Sequence, residues 1–224
     1  MCGRFTLTRK DKREVAEFLG VDESELGDYR PRYNIAPMQW HFLVVSEYER
    51  RKALPAKWGL ANRWAKDNSR ASQCINAKAE TVEVRPSFRY AFKKRRSVVP
   101  ADGLYEWTGA KGTRRPIWFH RADGKLMLFA GLYEDWFPEK DKPEMTFTIV
   151  TCDSNAVTRP IHNRMPVILS ERDADDWMNP LEKDPSLLKR LLVPAPDELL
   201  VAQPASTLVN SPRNDGPELL EVQG

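Results

Sequence analysis

The chain reads as an α+β fold, built mainly on a twisted antiparallel β-sheet that closes toward a barrel, with a few short helices. Three observations lead there. Short runs rich in β-branched and aromatic residues recur at close spacing, as at residues 40–45, 97–99 and 145–152. The stretches carrying helix-start signals are brief. They are also too few and too scattered to alternate with the strands as β-α units. With 224 residues, no internal repeat and no low-complexity tract, the sequence suits one large domain or two small ones sharing a core, and a single domain over 1–224 is the expectation.

Taken in order, Thr8-Arg9-Lys10-Asp11 resembles a capping box. Val15, Ala16, Phe18 and Leu19 follow it, and Gly20 stops the helix. Residues 21–31 are polar and turn-rich, and the segment to Pro37 is extended, punctuated by Pro31 and Pro37. Residues 40–45 predict a strand, with 51–60 pairing back on it. Residues 62–73 form a polar surface loop carrying Trp64, and 74–81 are mixed in pattern. Pro86 sits at a first helical position and opens a short basic helix through Phe92. Residues 97–103 read as a strand entering a turn, and 104–107 begin another strand. Residues 116–120 and 125–132 straddle Ala122-Asp123-Gly124, a hairpin signal. A strand over 145–152 is followed by a proline-bracketed loop over 158–169 that runs into a further strand. Ser170 opens an acidic helix of the Ser-x-x-Asp type with Trp177 on its inner side. A second helix covers 185–192, residues 199–202 return to the sheet, and 211–224 are expected to be a loose tail.

Composition excludes several classes. Charged residues make up 30% and hydrophobics 41%, ordinary for a soluble globular protein. No apolar run reaches the roughly eighteen residues a membrane span needs, and the amino-terminus lacks a signal-peptide apolar region. The reading is cytoplasmic, nucleoid-associated if the source is bacterial. Cys2, Cys74 and Cys152 are odd in number and widely spaced, against a disulfide framework. Nor do they make a zinc pattern with His41, His120 and His162, so no metal and no cofactor is expected. The net charge of +3 names no partner. Its distribution says more: Arg85, Arg89, Lys93, Lys94, Arg95 and Arg96 follow one another with no acid among them, which suits either a nucleic-acid backbone or a solvated basic helix.

The amino-terminus, Met1-Cys2-Gly3-Arg4-Phe5, carries the sharpest chemistry. Trimming Met1 leaves Cys2 with a free α-amine and a thiol on adjacent carbons. Their ordinary pKa values, about 7.7–8.0 and about 8.5, leave part of each deprotonated near neutrality. An aldehyde can form an imine with the amine, and the thiol can then close a five-membered thiazolidine on the same carbon. An internal cysteine, its nitrogen locked in an amide, cannot.

Other polar groups stand where a plain core does not ask for them: Asn76 and Lys78 in Ile75-Asn76-Ala77-Lys78-Ala79-Glu80-Thr81, Glu106 in Ala101-Asp102-Gly103-Leu104-Tyr105-Glu106-Trp107, and His162 and Arg164 in Ile161-His162-Asn163-Arg164-Met165-Pro166. Taken singly, Glu106 also reads as a strand carboxylate facing water, His162 as a satisfied core histidine and Asn76 as a turn former. Aldehyde capture needs such a set. A base must keep the amine neutral for attack, and an acid must then assist loss of water.

Together with Arg32-Tyr33-Asn34-Ile35-Ala36-Pro37, these motifs resemble the SRAP family, from Cys2 to about residue 169. The resemblance implies a sensor of abasic sites in single-stranded DNA at replication forks that crosslinks itself to the lesion. The resemblance then makes Cys2 the nucleophile through both amine and thiol, has Asn76 hydrogen-bond the adduct, and gives Glu106 and His162 the handling of protons. Arg4, Lys78, Arg85 and Arg164 are placed near phosphates, with Pro37 and Trp64 near the lesion. Lys78 stands where many members carry arginine, which keeps the charge and loses the bidentate fork. The implied product is a durable thiazolidine crosslink, with weak strand-scission (lyase) activity beside it, from a monomer. Two other readings stay open: a cysteine-dependent peptidase that removes its own Met1, and a non-catalytic single-strand binder.

Overall fold

The computed structural model describes residues 2–47, 50–110, 112–139 and 141–221. The chain begins with β1 (Phe5–Leu7), α1 (Lys12–Leu19), β2 (Arg32–Ile35), β3 (Trp40–Glu47), β4 (Arg50–Trp58) and β5 (Asn76–Lys78). It continues through α2 (Arg89–Lys94), β6 (Arg96–Ala101), β7 (Gly103–Thr108), β8 (Arg115–Arg121), β9 (Met127–Glu139) and β10 (Lys142–Asp153). Last come β11 (Arg164–Pro166), β12 (Ile168–Leu169), α3 (Glu171–Met178), α4 (Pro185–Arg190) and β13 (Leu200–Pro204).

The α+β class and the closure toward a barrel are both present. Strands β3, β4, β10, β9 and β6 pair in a ring, with β5, β11 and β12 added at its edges. The closing contact is parallel, Thr146 opposite Lys57 and Phe147 opposite Trp58. Strand β5 also runs parallel to β10, with Asn76 opposite Ile149. A second sheet, in the order β13-β8-β7-β1-β2, lies outside the ring and is antiparallel throughout. The two are joined by Phe5, which leaves the second sheet and meets His41 and Trp58 of the barrel edge-on, each at 5.1 Å between centroids. Such aromatic pairs add about 0.5–1.5 kcal/mol each beyond simple burial. Phe5 thus anchors the chain three residues after Cys2.

Several sequence expectations are met. The β3–β4 hairpin is continuous from Trp40↔Lys57 to Glu47↔Arg50. Gly20 ends α1 in the left-handed region at φ 67°. Ser170 caps α3, accepting from Asp173 N at 3.1 Å and donating to Asp173 Oδ2 at 2.7 Å.

Other expectations are corrected. α1 is capped by Asp11, because the Thr8 amide and hydroxyl are both held by Asp102. The helix expected from Pro86 starts at Arg89, after a turn in which Phe88 N donates to Arg85 O at 2.9 Å. Ala122-Asp123-Gly124 is a turn without a hairpin: β8 pairs with β7 and β13, whereas β9 pairs with β6, β10 and β12. Arg121 gripping Asp123 and Gly124 at φ 69° supply the turn chemistry, and the turn carries the chain from one sheet to the other.

The tail past Ser211 is not loose over its described part. Asp215 accepts from the Tyr33 and Asn34 amides and pairs with Arg32. Asn34 Nδ2 donates to the carbonyls of Val209, Ser211 and Asn214, and Leu219 is buried beside Tyr105. Among the described residues, no helix is long and apolar enough to cross a membrane, and no group of three or more His, Cys, Asp or Glu is placed to hold a metal ion.

Candidate active site and nucleic-acid cleft

The amino-terminus is fixed from both sides. β1 pairs with β7 at Phe5↔Leu104 and Thr6↔Gly103, and Tyr105 N donates to Arg4 O at 3.0 Å. Asp102 accepts from Thr6 Oγ1 at 2.5 Å, from Thr8 N at 2.6 Å and from Thr8 Oγ1 at 2.7 Å. Gly103 is required at the crossing, because a Cβ there falls 1.9 Å from Trp118 Nε1 and 2.8 Å from Thr6 Oγ1. These contacts place Cys2, which is 0% exposed, next to Glu106 on β7.

Asn76 holds Cys2 from the barrel side. Its Nδ2 donates to Cys2 O at 2.8 Å, and its buried Oδ1 has no hydrogen-bond partner among the described residues. Glu106 is 6% exposed. Burial raises its carboxyl above the usual carboxylate range, and the charge of nearby His162 pulls it partly back. Burial, and then the negative charge of Glu106, push the Cys2 thiol above its ordinary range, so it is protonated near neutral pH. His162 follows a turn held by Thr158, and its Nδ1 accepts from Arg164 N at 3.0 Å. In the neutral ring the proton is therefore assigned to Nε2. The two sheets thus bring together the four residues singled out for chemistry, Cys2 and Glu106 from one and Asn76 and His162 from the other.

Asn76 also lines an open cleft of about 710 Å³, together with Trp64, Lys78, Arg85 and Phe88. Cys2 does not line it; Asn76 connects the two. Trp64 is 74% exposed on this cleft, and Lys78 and Arg85 are exposed and make no ion pair among the described residues. Pro37 does not line the cleft. It opens a type II turn in which Gln39 N donates to Ala36 O at 3.2 Å and Met38 takes the position with φ 69°. Met38 then packs with Ala61, Ala71 and Trp136 beneath the loop that carries Trp64.

The remaining two cations are engaged internally. Arg164, with its side chain 11% exposed, bonds Glu80 at 2.6 and 3.0 Å, Asp153 at 2.9 Å and Thr151 O at 2.6 Å. It clamps the turn after β5 to β10. Arg4 donates to Val209 O at 2.9 Å and lies over the Trp107 ring, 5.9 Å from its centroid. Burial lowers its pKa from the usual arginine value. The organising roles of Asn34, Glu80 and Asp102 escape a reading of the sequence. Each sits inside a noted motif, and polarity in those motifs was the only signal.

Fold and site together define a barrel-based α+β protein whose amino-terminal cysteine is held by a cleft-lining asparagine. The chain belongs to the SRAP family: the model described as SOS response associated peptidase (SRAP) matches residues 1–212. It is 39% identical over 223 residues to the abasic site processing protein YoqW of Bacillus subtilis (strain 168), covering 99% of each chain. It is 29% identical over 231 residues to the abasic site processing protein YedK of Escherichia coli (strain K12), again covering 99% of each. With the abasic site processing protein HMCES of Gallus gallus it shares 30% identity over 95% of this chain and 70% of that one. A crystal structure of a Bacteroides thetaiotaomicron protein matches with a TM-score of 0.85 over 98% of this chain and 99% of that one; at 24% identity this speaks for the fold alone.

Proposed function

We propose that this protein processes abasic sites in single-stranded DNA by covalent capture through Cys2 after Met1 is removed. The observation that carries the reading is the 2.8 Å hydrogen bond from Asn76, a residue of the cleft wall, to the Cys2 carbonyl. The names of the relatives supply the substrate class.

The steps use the residues as follows. Glu106, whose burial favours the protonated form, donates toward the ring oxygen as the abasic sugar opens to its aldehyde. The neutral α-amine of Cys2 attacks the carbonyl carbon, forming a C–N bond while the oxygen takes a proton. The carboxylate left on Glu106 accepts the surplus proton from nitrogen and returns it as water departs to leave the imine, while His162, whose Nε2 bears the ring proton, hydrogen-bonds the leaving oxygen. The Cys2 thiol adds across C=N, its sulfur to carbon and its proton to nitrogen. The sum is aldehyde plus aminothiol giving thiazolidine plus one water, with no change of oxidation state. The open imine also acidifies the neighbouring sugar position, so β-elimination and strand scission compete until the ring closes. Asn76 orients the reacting residue throughout. Lys78 and Arg85 neutralise phosphates, Trp64 stacks on a base beside the lesion, and Pro37 supports that loop. Arg4 and Arg164 add positive potential from their engaged positions.

The family description favours a second activity of the same site, removal of Met1. The acyl group moves from the Cys2 nitrogen to its sulfur, and water hydrolyses the thioester, freeing amine and thiol together. Wild-type chain made by translation without methionine aminopeptidase should lose Met1, and Glu106→Gln should keep it; equal retention refutes self-removal.

The capture itself is tested by mixing the Cys2-exposed protein with single strands that carry or lack an abasic site. A heat-stable covalent band confined to the abasic lane is expected. Its absence, or a band of equal strength in both lanes, contradicts the reading.

A further inference from the structure

The basic run from Arg85 to Arg96 divides into three in the folded chain. Arg85 lines the cleft. Arg95 pairs with Glu134 at 2.8 Å and with Asp135 at 3.1 Å, while buried Arg96 donates to the carbonyls of Trp177, Phe92 and Lys93, tying α2 to the end of α3. Both serve the fold. That leaves Arg89, Lys93 and Lys94, exposed on α2 beside Tyr90, which is 51% exposed.

Helical spacing puts Arg89 and Lys93 one turn apart, and likewise Tyr90 and Lys94, while Ala91 and Phe92 turn inward to the core. Among the described residues, Arg89, Lys93 and Lys94 make no ion pair, and Glu83, just upstream of the helix, is already held by Lys189 at 2.6 Å. Helix stability does not account for Arg89: a cation in the first turn stands at the wrong end of the dipole. The helix also begins where the cleft ends, since Phe88, which precedes its first residue, lines the cleft with Arg85.

We infer that the outer face of α2 is a second nucleic-acid contact, which holds the single strand where it leaves the cleft. Arg89, Lys93 and Lys94 bind successive phosphates, and the exposed Tyr90 ring stacks on a base of that flank. Neither contact reads sequence, as a lesion sensor requires. The inference rests on the proposed reading of the cleft as a single-strand site, and it extends the footprint beyond the lesion to one flank.

The test is equilibrium binding to oligonucleotides carrying a reduced abasic analogue, which has no aldehyde and binds reversibly. One is short enough to fill the cleft alone, and two others add a single-stranded arm on the 5′ or the 3′ side. Each phosphate neutralised contributes about 0.7 to the salt dependence of single-strand binding, so Arg89→Ser/Lys93→Ser/Lys94→Ser should lower the log–log slope by about 2. That loss is expected with one arm only and not with the short oligonucleotide. Tyr90→Ala should weaken binding of the same arm with the slope unchanged. Crosslinking at saturating DNA should be as complete as in the wild type. An unchanged slope on both arms in the triple variant overturns the inference and leaves the cleft reading standing. If the slope falls as expected but the wild type does not distinguish abasic from intact DNA, the α2 contact stands and the cleft reading fails.

Discussion

The inner and outer sides of the cleft are built differently. On the inner side, Cys2 and Glu106 are buried, Asn76 reaches back to the Cys2 carbonyl, and Arg4 and Arg164 are bound to protein groups. On the outer wall, Trp64, Lys78 and Arg85 stand exposed, and the two cations make no ion pair among the described residues. Burial on the inner side shifts proton affinities and fixes geometry, which a reaction needs. Exposure on the outer wall leaves cations hydrated until a phosphate arrives, which suits reversible, sequence-blind attachment. Substitutions inside should therefore act on rate and stability, and those outside on affinity and salt dependence.

The largest effect belongs to Cys2→Ala. It should keep an imine that borohydride can trap and lose the adduct that survives heating without reductant; a heat-stable adduct in that variant breaks the assignment of the thiol. Next comes Glu106→Gln, which should slow crosslinking by about 10²-fold or more with little change in affinity. The wild-type rate should rise with pH as the amine loses its proton, then fall as Glu106 ionises. Because burial raises the Glu106 pKa, that falling limb lies at higher pH than an ordinary carboxyl would give. Glu106→Gln should flatten it, as a pH series of single-turnover rates would show.

Third, Arg164→Met removes a clamp with three protein partners and should cost about 1–2 kcal/mol in denaturant unfolding, tempered by the exposure of Glu80 and Asp153. Lys78→Met and Arg85→Met should each stay within about 0.5 kcal/mol of wild-type stability while removing about 0.7 from the salt slope. Equal stability losses at all three positions would erase the contrast between the two sides.

A further effect is read from pH. His41, packed edge-on to Phe5, has its pKa pushed from 6.5 down to about 3, mainly by burial. Its folded-state value lies below the unfolded one, so the unfolded chain takes up a proton first as pH falls. Stability should then decline from pH 6.5 toward pH 3, and His41→Phe should remove the part of that decline above the carboxylate range.

Much of the inner side was legible in the sequence because its chemistry is local. Cys2 at the second position, and polar Asn76, Glu106 and His162 inside apolar or proline-bracketed runs, announce themselves without knowledge of the fold. What they pack against does not. The ring closes by parallel pairing of β4 with β10, and β5 is added parallel to β10 at its edge, both across separations with no local signature. The same blindness made a hairpin of Ala122-Asp123-Gly124, where turn chemistry is visible and the strands' true partners are not. Arg164 shows the limit for charge: a sequence counts its cation, but its partner Glu80 lies 84 residues earlier. The tail was misjudged for a similar reason, since Asn34 and Asp215 look like ordinary polar residues until the fold brings them together.

Intact-mass measurement of the purified protein, before and after it meets an abasic single strand, tests the capture chemistry most directly. The account predicts a free chain lacking Met1 and, without any reductant, a heat-stable product weighing the sum of protein and oligonucleotide less one water. A product that keeps Met1, or one that appears only after borohydride treatment, contradicts it.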